Sequence, residues 1–352
     1  MPPWRFSRQF GALLMAALSA TLSVCTPAQA ATKSPSGSLS TSPRIEIPIE
    51  RTVMLSGTVR YTVSIKIGAI GPIPALLDTG STGLLVMASA LGDKQPRKIG
   101  RFVYSFDSGE VFSGGISRAK ISIGGLSTNG PVNFGVVQKV KCTTDRPKCP
   151  AVSLKPQDYG IAGDGTAGEG FKAIIGIGTD RILLANPLLG AGAQSWIVAL
   201  PLPGTQGSGS LIINPDPSEL EGFQRYPIAR NALRMLGAFR SSLPGCLGTP
   251  DGTLNLCGQV ALDTGSPQIY AKVAKLPPVA AMNTPQRFTL TLSEGDGRIE
   301  LPIEETWQSK RLVVFQRTPK VDAPAINAGV LPYHRYLVFY DFHKNVIGLK
   351  KR

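Results

Sequence analysis

The sequence predicts a mainly β protein made of two related lobes, and three observations carry that reading. Its apolar residues come in short runs rich in Val, Ile and Thr, with 39 Gly and 29 Pro among 352 residues, so turns and strands outweigh long helices. With 42% hydrophobic and only 17% charged residues, the chain can fill two packed lobes or one large core. The string Asp-Thr-Gly-Ser then occurs twice, beginning at Asp78 and at Asp263, each time after an Ala and Leu run. At average residue frequencies one copy is expected in roughly one chain of this length in two hundred, so a pair is not accident.

The first thirty residues carry Arg5 and Arg8, an apolar stretch from Gly11 to Cys25, and Ala28-Gln29-Ala30, which is the order of a signal peptide cleaved before Ala31. Val24 stands where lipoprotein processing at Cys25 wants a small residue, which favours simple cleavage. The apolar stretch is short for a membrane span, and no later run reaches about 18 to 20 apolar residues, so no transmembrane segment is expected. Residues 31–44 are Ser, Thr, Pro and Gly with almost no apolar content, a flexible spacer. From Ile45 the chain alternates apolar and polar residues over segments broken by Gly, as paired strands with one buried face do.

Each half then repeats one plan: strand, Asp-Thr-Gly-Ser, variable strands, and an apolar strand ending in Gly. The closing strands are Ala173-Ile174-Ile175-Gly176 and Ala325-Ile326-Asn327-Ala328-Gly329. An N-terminal lobe over 45–203 and a C-terminal lobe over 204–352 follow. Without Cys25, four cysteines remain, Cys142 near Cys149 and Cys246 near Cys257, an even count that suits an oxidising compartment. Three pairings are open on paper; local bridges, each closing a short polar loop with Pro or Gly, are the simplest. Zinc does not fit, because there is no Cys-x-x-Cys and only two histidines, His334 and His343, so neither a metal nor another cofactor is expected.

The formal charge is +14, and two of the basic residues lie in the leader. The rest are scattered, with no block longer than Lys350-Lys351-Arg352, a pattern that keeps a protein soluble or draws it to anionic envelope surfaces. No motif supports nucleic-acid binding. Gly163 to Gly168 fits the letters of a dinucleotide loop but precedes an apolar strand where that loop would open a helix, so it reads as a surface loop. His334 and His343 come without the Ser or Cys pattern of a nucleophilic hydrolase and read as structural.

An Asp that ends an apolar strand and is followed by Thr-Gly-Ser sits in a tight turn, where Gly allows close backbone approach and the hydroxyls can hold the carboxylate. If the lobes pack about an approximate twofold axis, the turns meet. Asp78 and Asp263 then share a proton, because two carboxylates that close cannot both ionise cheaply, and a water between them can be activated by one while the other acts as acid.

These residues resemble the pepsin-like aspartic peptidases, here in the guise of an exported bacterial member, from about Ile45 to Arg352. ALLDTGSTGLLVMAS looks like the family's first active-site strand and loop, and CGQVALDTGSPQIY looks like the second. GSGSLIINPDPSELEGFQRYPI resembles its interlobe segment, and INAGVLPYHRYLVFYDFHKNVIGL its closing segment. The resemblance implies a bilobal acid-protease fold and an endopeptidase acting on peptide or protein substrates, as a monomer. It makes Asp78 and Asp263 the catalytic pair, Thr79 and Thr264 a cross-lobe clasp, Gly80 and Gly265 the turn glycines, and Ser81 and Ser266 hydrogen-bond partners of the carboxylates. Gly176 and Gly329 would close each lobe's loop behind its Asp. FVYSFDSGEVFSGG, residues 102–115, falls where the family has a hairpin flap over the substrate, with Tyr104 or Phe106 as its aromatic tip and Gly109 in the turn.

The sequence also departs from the family. Leu84-Leu85 stands where a Trp usually bonds a flap Tyr, Phe106 and Gly109 replace the flap's Tyr-x-x-Gly, and Pro267 follows the second Ser. No long basic propeptide precedes Ile45, so no large inhibitory prosegment is expected. The competing function is a secreted peptide-binding protein on the same fold that has lost turnover; both Asp, both Thr and both Ser are retained against it.

Overall fold

The computed structural model describes residues 43–179, 184–228, 241–282, 284–292, 298–306, 311–318 and 323–352. The signal peptide at 1–30 and all but the last two residues of the spacer at 31–44 lie outside the described residues. The first half runs β1 (Ile45–Val53), β2 (Val59–Ile67), β3 (Ile70–Asp78), β4 (Thr82–Met87), β5 (Lys98–Ser105), β6 (Glu110–Ala119), β7 (Ile121–Ile123), β8 (Leu126–Ser127), β9 (Val132–Cys142) and β10 (Ala173–Ile177). Next come β11 (Ser195–Ala199), β12 (Gly209–Ile213), β13 (Gln224–Pro227), β14 (Ser242–Gly248), β15 (Asn255–Ala261) and β16 (Ile269–Val273). The chain closes with β17 (Arg287–Leu292), β18 (Ile299–Glu304), β19 (Val313–Arg317), β20 (Ala325–Asn327), β21 (Tyr336–Asp341) and β22 (Val346–Lys351). The mainly β expectation holds.

Two kinds of strand follow from two kinds of sequence. IELPIE of β18 alternates strictly, buried then exposed, because one face meets the core and the other meets water. The last four residues of β3 and all of β4 and β10 are buried, as their unbroken apolar runs require of strands covered on both faces. Asp78 thus ends an enclosed run, whereas Asp263 follows two residues after β15, of which only Val260 and Ala261 are buried.

The two halves repeat one topology. Strand β10 slots between β3, which it pairs in parallel with Gly176 opposite Asp78, and β4, which it pairs antiparallel with Gly176 opposite Gly83. Strand β20 slots in the same way between β15, in parallel with Asn327 opposite Ala261, and β16, antiparallel with Asn327 opposite Tyr270.

The halves are sewn together by further strands. β1 pairs β12 through Ile45–Ile49 and β2 through Glu50–Val53. The ladder continues from β12 to β11, β21, β22 and β13. Residue 204, the boundary suggested by sequence, falls in the connection between β11 and β12, which are neighbours in this ladder. Beneath it, Trp196 of β11 is fully buried and stacks on Tyr340 of β21 with ring centroids 6.0 Å apart.

Both local disulfides form: Cys142–Cys149 ties the end of β9 to the loop that follows, and Cys246–Cys257 joins directly opposed residues of β14 and β15. Among the described residues no helix is long and apolar enough to cross a membrane.

Candidate active site

The two Asp-Thr-Gly turns meet face to face. An ideal Cβ on Gly80 would lie 2.6 Å from Asp263 Oδ2, and one on Gly265 would lie 2.8 Å from Asp78 Oδ1, so each turn's glycine abuts the other turn's carboxylate. No other residue leaves room for that approach. Each aspartate also accepts from its own glycine: Gly80 N donates to Asp78 Oδ1 at 2.8 Å, and Gly265 N to Asp263 Oδ1 at 2.8 Å.

The threonines cross over between the turns. Thr264 N donates to Thr79 Oγ1 at 3.0 Å and Thr79 N to Thr264 Oγ1 at 3.1 Å. Each hydroxyl in turn donates across the junction, Thr79 to the Leu262 carbonyl at 2.9 Å and Thr264 to the Leu77 carbonyl at 2.7 Å. All four groups are buried, so each bond satisfies a partner that water cannot reach. On one side the clasp extends to Tyr333, whose hydroxyl lies 2.8 Å from Thr79 Oγ1 and 2.5 Å from the Tyr340 hydroxyl.

The symmetry stops at the serines. Ser81 Oγ donates to Asp78 Oδ2. Ser266, expected to hold Asp263 in the same way, instead donates to the carbonyl of Gln268 at 2.8 Å, two residues along its own turn. The outer oxygen of Asp263 is taken by Asn327 of β20, whose Nδ2 lies 2.5 Å from Oδ2. Asn327 stands two residues before Gly329, where the first half has Ile174 before Gly176; a polar residue at a position that its repeat leaves apolar was the signal that sequence reasoning passed over. Gly329 lies at φ 59° and its carbonyl accepts from Asp263 N at 3.2 Å, while Gly176 sits opposite Asp78, so both glycines back the aspartates.

Burial first, then the negative charge of Asp263 and a hydrogen bond to it, push the Asp78 carboxyl well above the usual carboxylate range; Ser81 and the Gly80 amide pull it back in part. The pair is therefore set to hold one proton between them.

A cavity of about 780 Å³ opens over the two aspartates. Its roof is the hairpin expected over 102–115: β5 and β6 pair in register with Tyr104 opposite Phe112, and Phe106 to Gly109 form the tip. Gly109, at φ 94°, returns its N–H to the Phe106 carbonyl at 3.0 Å. Phe106 lines the cavity, whereas Tyr104 packs against it with ring centroids 4.9 Å apart, so of the two aromatic candidates Phe106 is the one that faces the aspartates' cleft. In the absence of a Trp after the first turn, the tip end of the hairpin is held by Glu110, which is buried and accepts from Tyr159 at 2.7 Å and from Ser108.

Several lining residues went unnoticed in the sequence. Arg60 and Asp164 form an ion pair of 3.2 Å in the cavity wall, and Asp164 belongs to the Gly163–Gly168 loop set aside above. Lys272 of β16 reaches Asp107 at the hairpin tip. His334, read as structural, bonds the Tyr61 hydroxyl at 3.1 Å and lines the cavity; burial and the neighbouring Arg352 and Arg335 bring it down to about 4, so it is neutral at ordinary pH. No family model matches the chain, and no curated protein matches it.

Proposed function

We propose that this chain is an exported aspartic endopeptidase of the pepsin-like, bilobal kind, with Asp78 and Asp263 activating one water between them. The observation that carries the reading is the meeting of the two turns: two buried carboxylates, each abutted by the other's glycine and braced by reciprocal threonine bonds. Such bracing supplies the fixed geometry that proton transfer in a transition state needs.

In this reading the singly protonated pair binds a water. The ionised carboxylate takes a proton from the water as its oxygen attacks the peptide carbonyl carbon, and the protonated one gives its proton to the carbonyl oxygen. A tetrahedral gem-diol forms with no covalent bond to the enzyme. The proton taken up by the first carboxylate then passes to the departing amine as the C–N bond breaks, while a hydroxyl of the gem-diol gives its proton back to the second carboxylate, which releases a carboxylic acid and returns the pair to its starting charge. The hairpin with Phe106 excludes bulk water and presses the peptide onto the aspartates. Two disulfides support an oxidising location such as the periplasm or the medium.

The test is cleavage of a peptide library by the purified chain from about pH 3 to 7, read by mass spectrometry beside the Asp78→Asn variant. Cleavage that falls by at least about 10²-fold in the variant supports the reading, and a folded wild-type chain that cuts nothing at any pH defeats it in favour of peptide binding alone.

A further inference from the structure

Arg60 is a cation set into the cleft wall with hydrogen-bond donors to spare. It lies on β2, is 7% exposed, and lines the cavity above the aspartates. Its Nη1 donates to the Gly265 carbonyl at 3.0 Å, inside the second Asp-Thr-Gly turn, and its Nη2 to Asp164 Oδ1 at 3.2 Å. The Nε–H is buried without a protein partner. A guanidinium carries five N–H donors in a flat fork, and a buried donor or cation left short of partners is costly, so a site of this kind is completed by an acceptor from outside the chain.

The charge balance says which acceptor. Asp164 answers Arg60 only from the rim: its side chain is 35% exposed against 8% for Arg60, and its other oxygen is already taken by Ser56 at 2.8 Å. Arg146 lines the same cavity and spends its Nη1 on the Asp107 backbone carbonyl, which brings no negative charge. Both arginines bear on Tyr270 across the cleft, where burial pushes the phenol up and the two cations pull it back. The forked, part-neutralised Arg60 at the inner end matches a carboxylate better than any neutral group.

We infer that Arg60 makes the cleft selective for peptides that place a carboxylate beside the Asp263 turn, from an Asp or Glu side chain or from the peptide's own C-terminus. The inference deepens the reading of the cleft as a peptide site and rests on it.

The experiment measures binding of matched peptides to the Asp78→Asn chain, which holds substrate without cutting it, with Glu or Gln at each position in turn and the C-terminus free or amidated. Expected is a Glu over Gln preference of roughly tenfold at one position, or the same preference for a free C-terminus, which tells the two sources apart. Arg60→Gln in that background should abolish the preference, Arg60→Lys should keep its sign at reduced size, and Asp164→Asn, which removes the competing carboxylate, should enlarge it. A Glu and Gln pair bound equally at every position together with equal free and amidated ends, or a preference that survives Arg60→Gln, overturns the inference. If Arg60→Gln does not fold by circular dichroism, the other two variants decide, and an unchanged preference in both overturns it. Cleavage by the wild-type chain without any acidic preference defeats this inference alone, whereas a chain that neither binds nor cuts any peptide defeats the peptidase reading and this inference with it.

Discussion

Lys272 Nζ lies 2.6 Å from Asp107 Oδ1, so the tip of the β5–β6 hairpin is ion-paired to strand β16 on the opposite wall of the cleft. The lysine is largely enclosed, at 12% exposed, while the aspartate is at 34%. Arg146 holds the same tip through the Asp107 carbonyl.

Lys272→Ala should loosen the roof. A part-exposed pair of about 1 kcal/mol corresponds to roughly fivefold, so hydrogen exchange of the Phe106 and Gly109 amides should quicken by about that factor. Raising the salt concentration should move the wild type the same way. Unchanged exchange in the variant would show that Arg146 alone holds the tip.

Thr79→Val keeps the side chain's shape and removes one hydroxyl. It strips Thr264 N of its acceptor and leaves the Leu262 carbonyl with only the longer bond from the Tyr333 hydroxyl at 3.4 Å, which costs about 1–3 kcal/mol of unfolding free energy by urea titration. Thr264→Val should cost a similar amount through the Thr79 N and Leu77 carbonyl. Because both variants break the same clasp, the double variant should lose less than the sum.

Stability should also depend on pH through Asp78. Its folded carboxyl sits above the unfolded value, so the folded chain binds the extra proton: the contribution is fully present below the ordinary carboxylate range and is lost as pH rises through the raised value. Thermal unfolding across that window should show wild-type stability falling, with a flatter profile in Asp78→Asn. Proteolysis should follow the same limb, fading as the pair loses its shared proton. A variant profile parallel to the wild type would remove Asp78 as the source.

In the proposed mechanism Asn327 is a positioning residue that acts through its hydrogen bond to Asp263. Asn327→Leu should lower kcat by roughly tenfold with little change in KM, as the loss of one oriented donor to a reacting carboxylate dictates. Asn327→Ser, which can still donate, should recover part of it. A change confined to KM would instead place Asn327 in substrate binding.

What could be read from the sequence was whatever is local or repeated. The Asp turns and the two short disulfide loops close within a few residues of chain, so composition and spacing suffice to mark them, while the hairpin over 102–115 is placed by the resemblance to the family. The partners that lock these pieces come from far along the chain: Asp107 to Lys272, Arg60 to Asp164, Glu110 to Tyr159. Nothing in a linear pattern pairs them. The repeat itself misled at Ser266, because twofold symmetry of the motif suggested twofold symmetry of its hydrogen bonds, and Asn327 breaks it with a side chain for which Ile174 gives no precedent.

The placing of residue 204 between two adjacent strands bears on what a cut there would produce. A nick in the β11–β12 connection would leave the leading fragment with the bare flanks of β1 and β11, and the trailing fragment with the matching flanks of β12 and β21. Neither piece could stay monomeric in water with so much unpaired backbone. Each carries one of the two facing aspartates, Asp78 or Asp263. The chain would thus behave as a natural split protein, its two pieces recovering the paired turns only when strand complementation zips them back together.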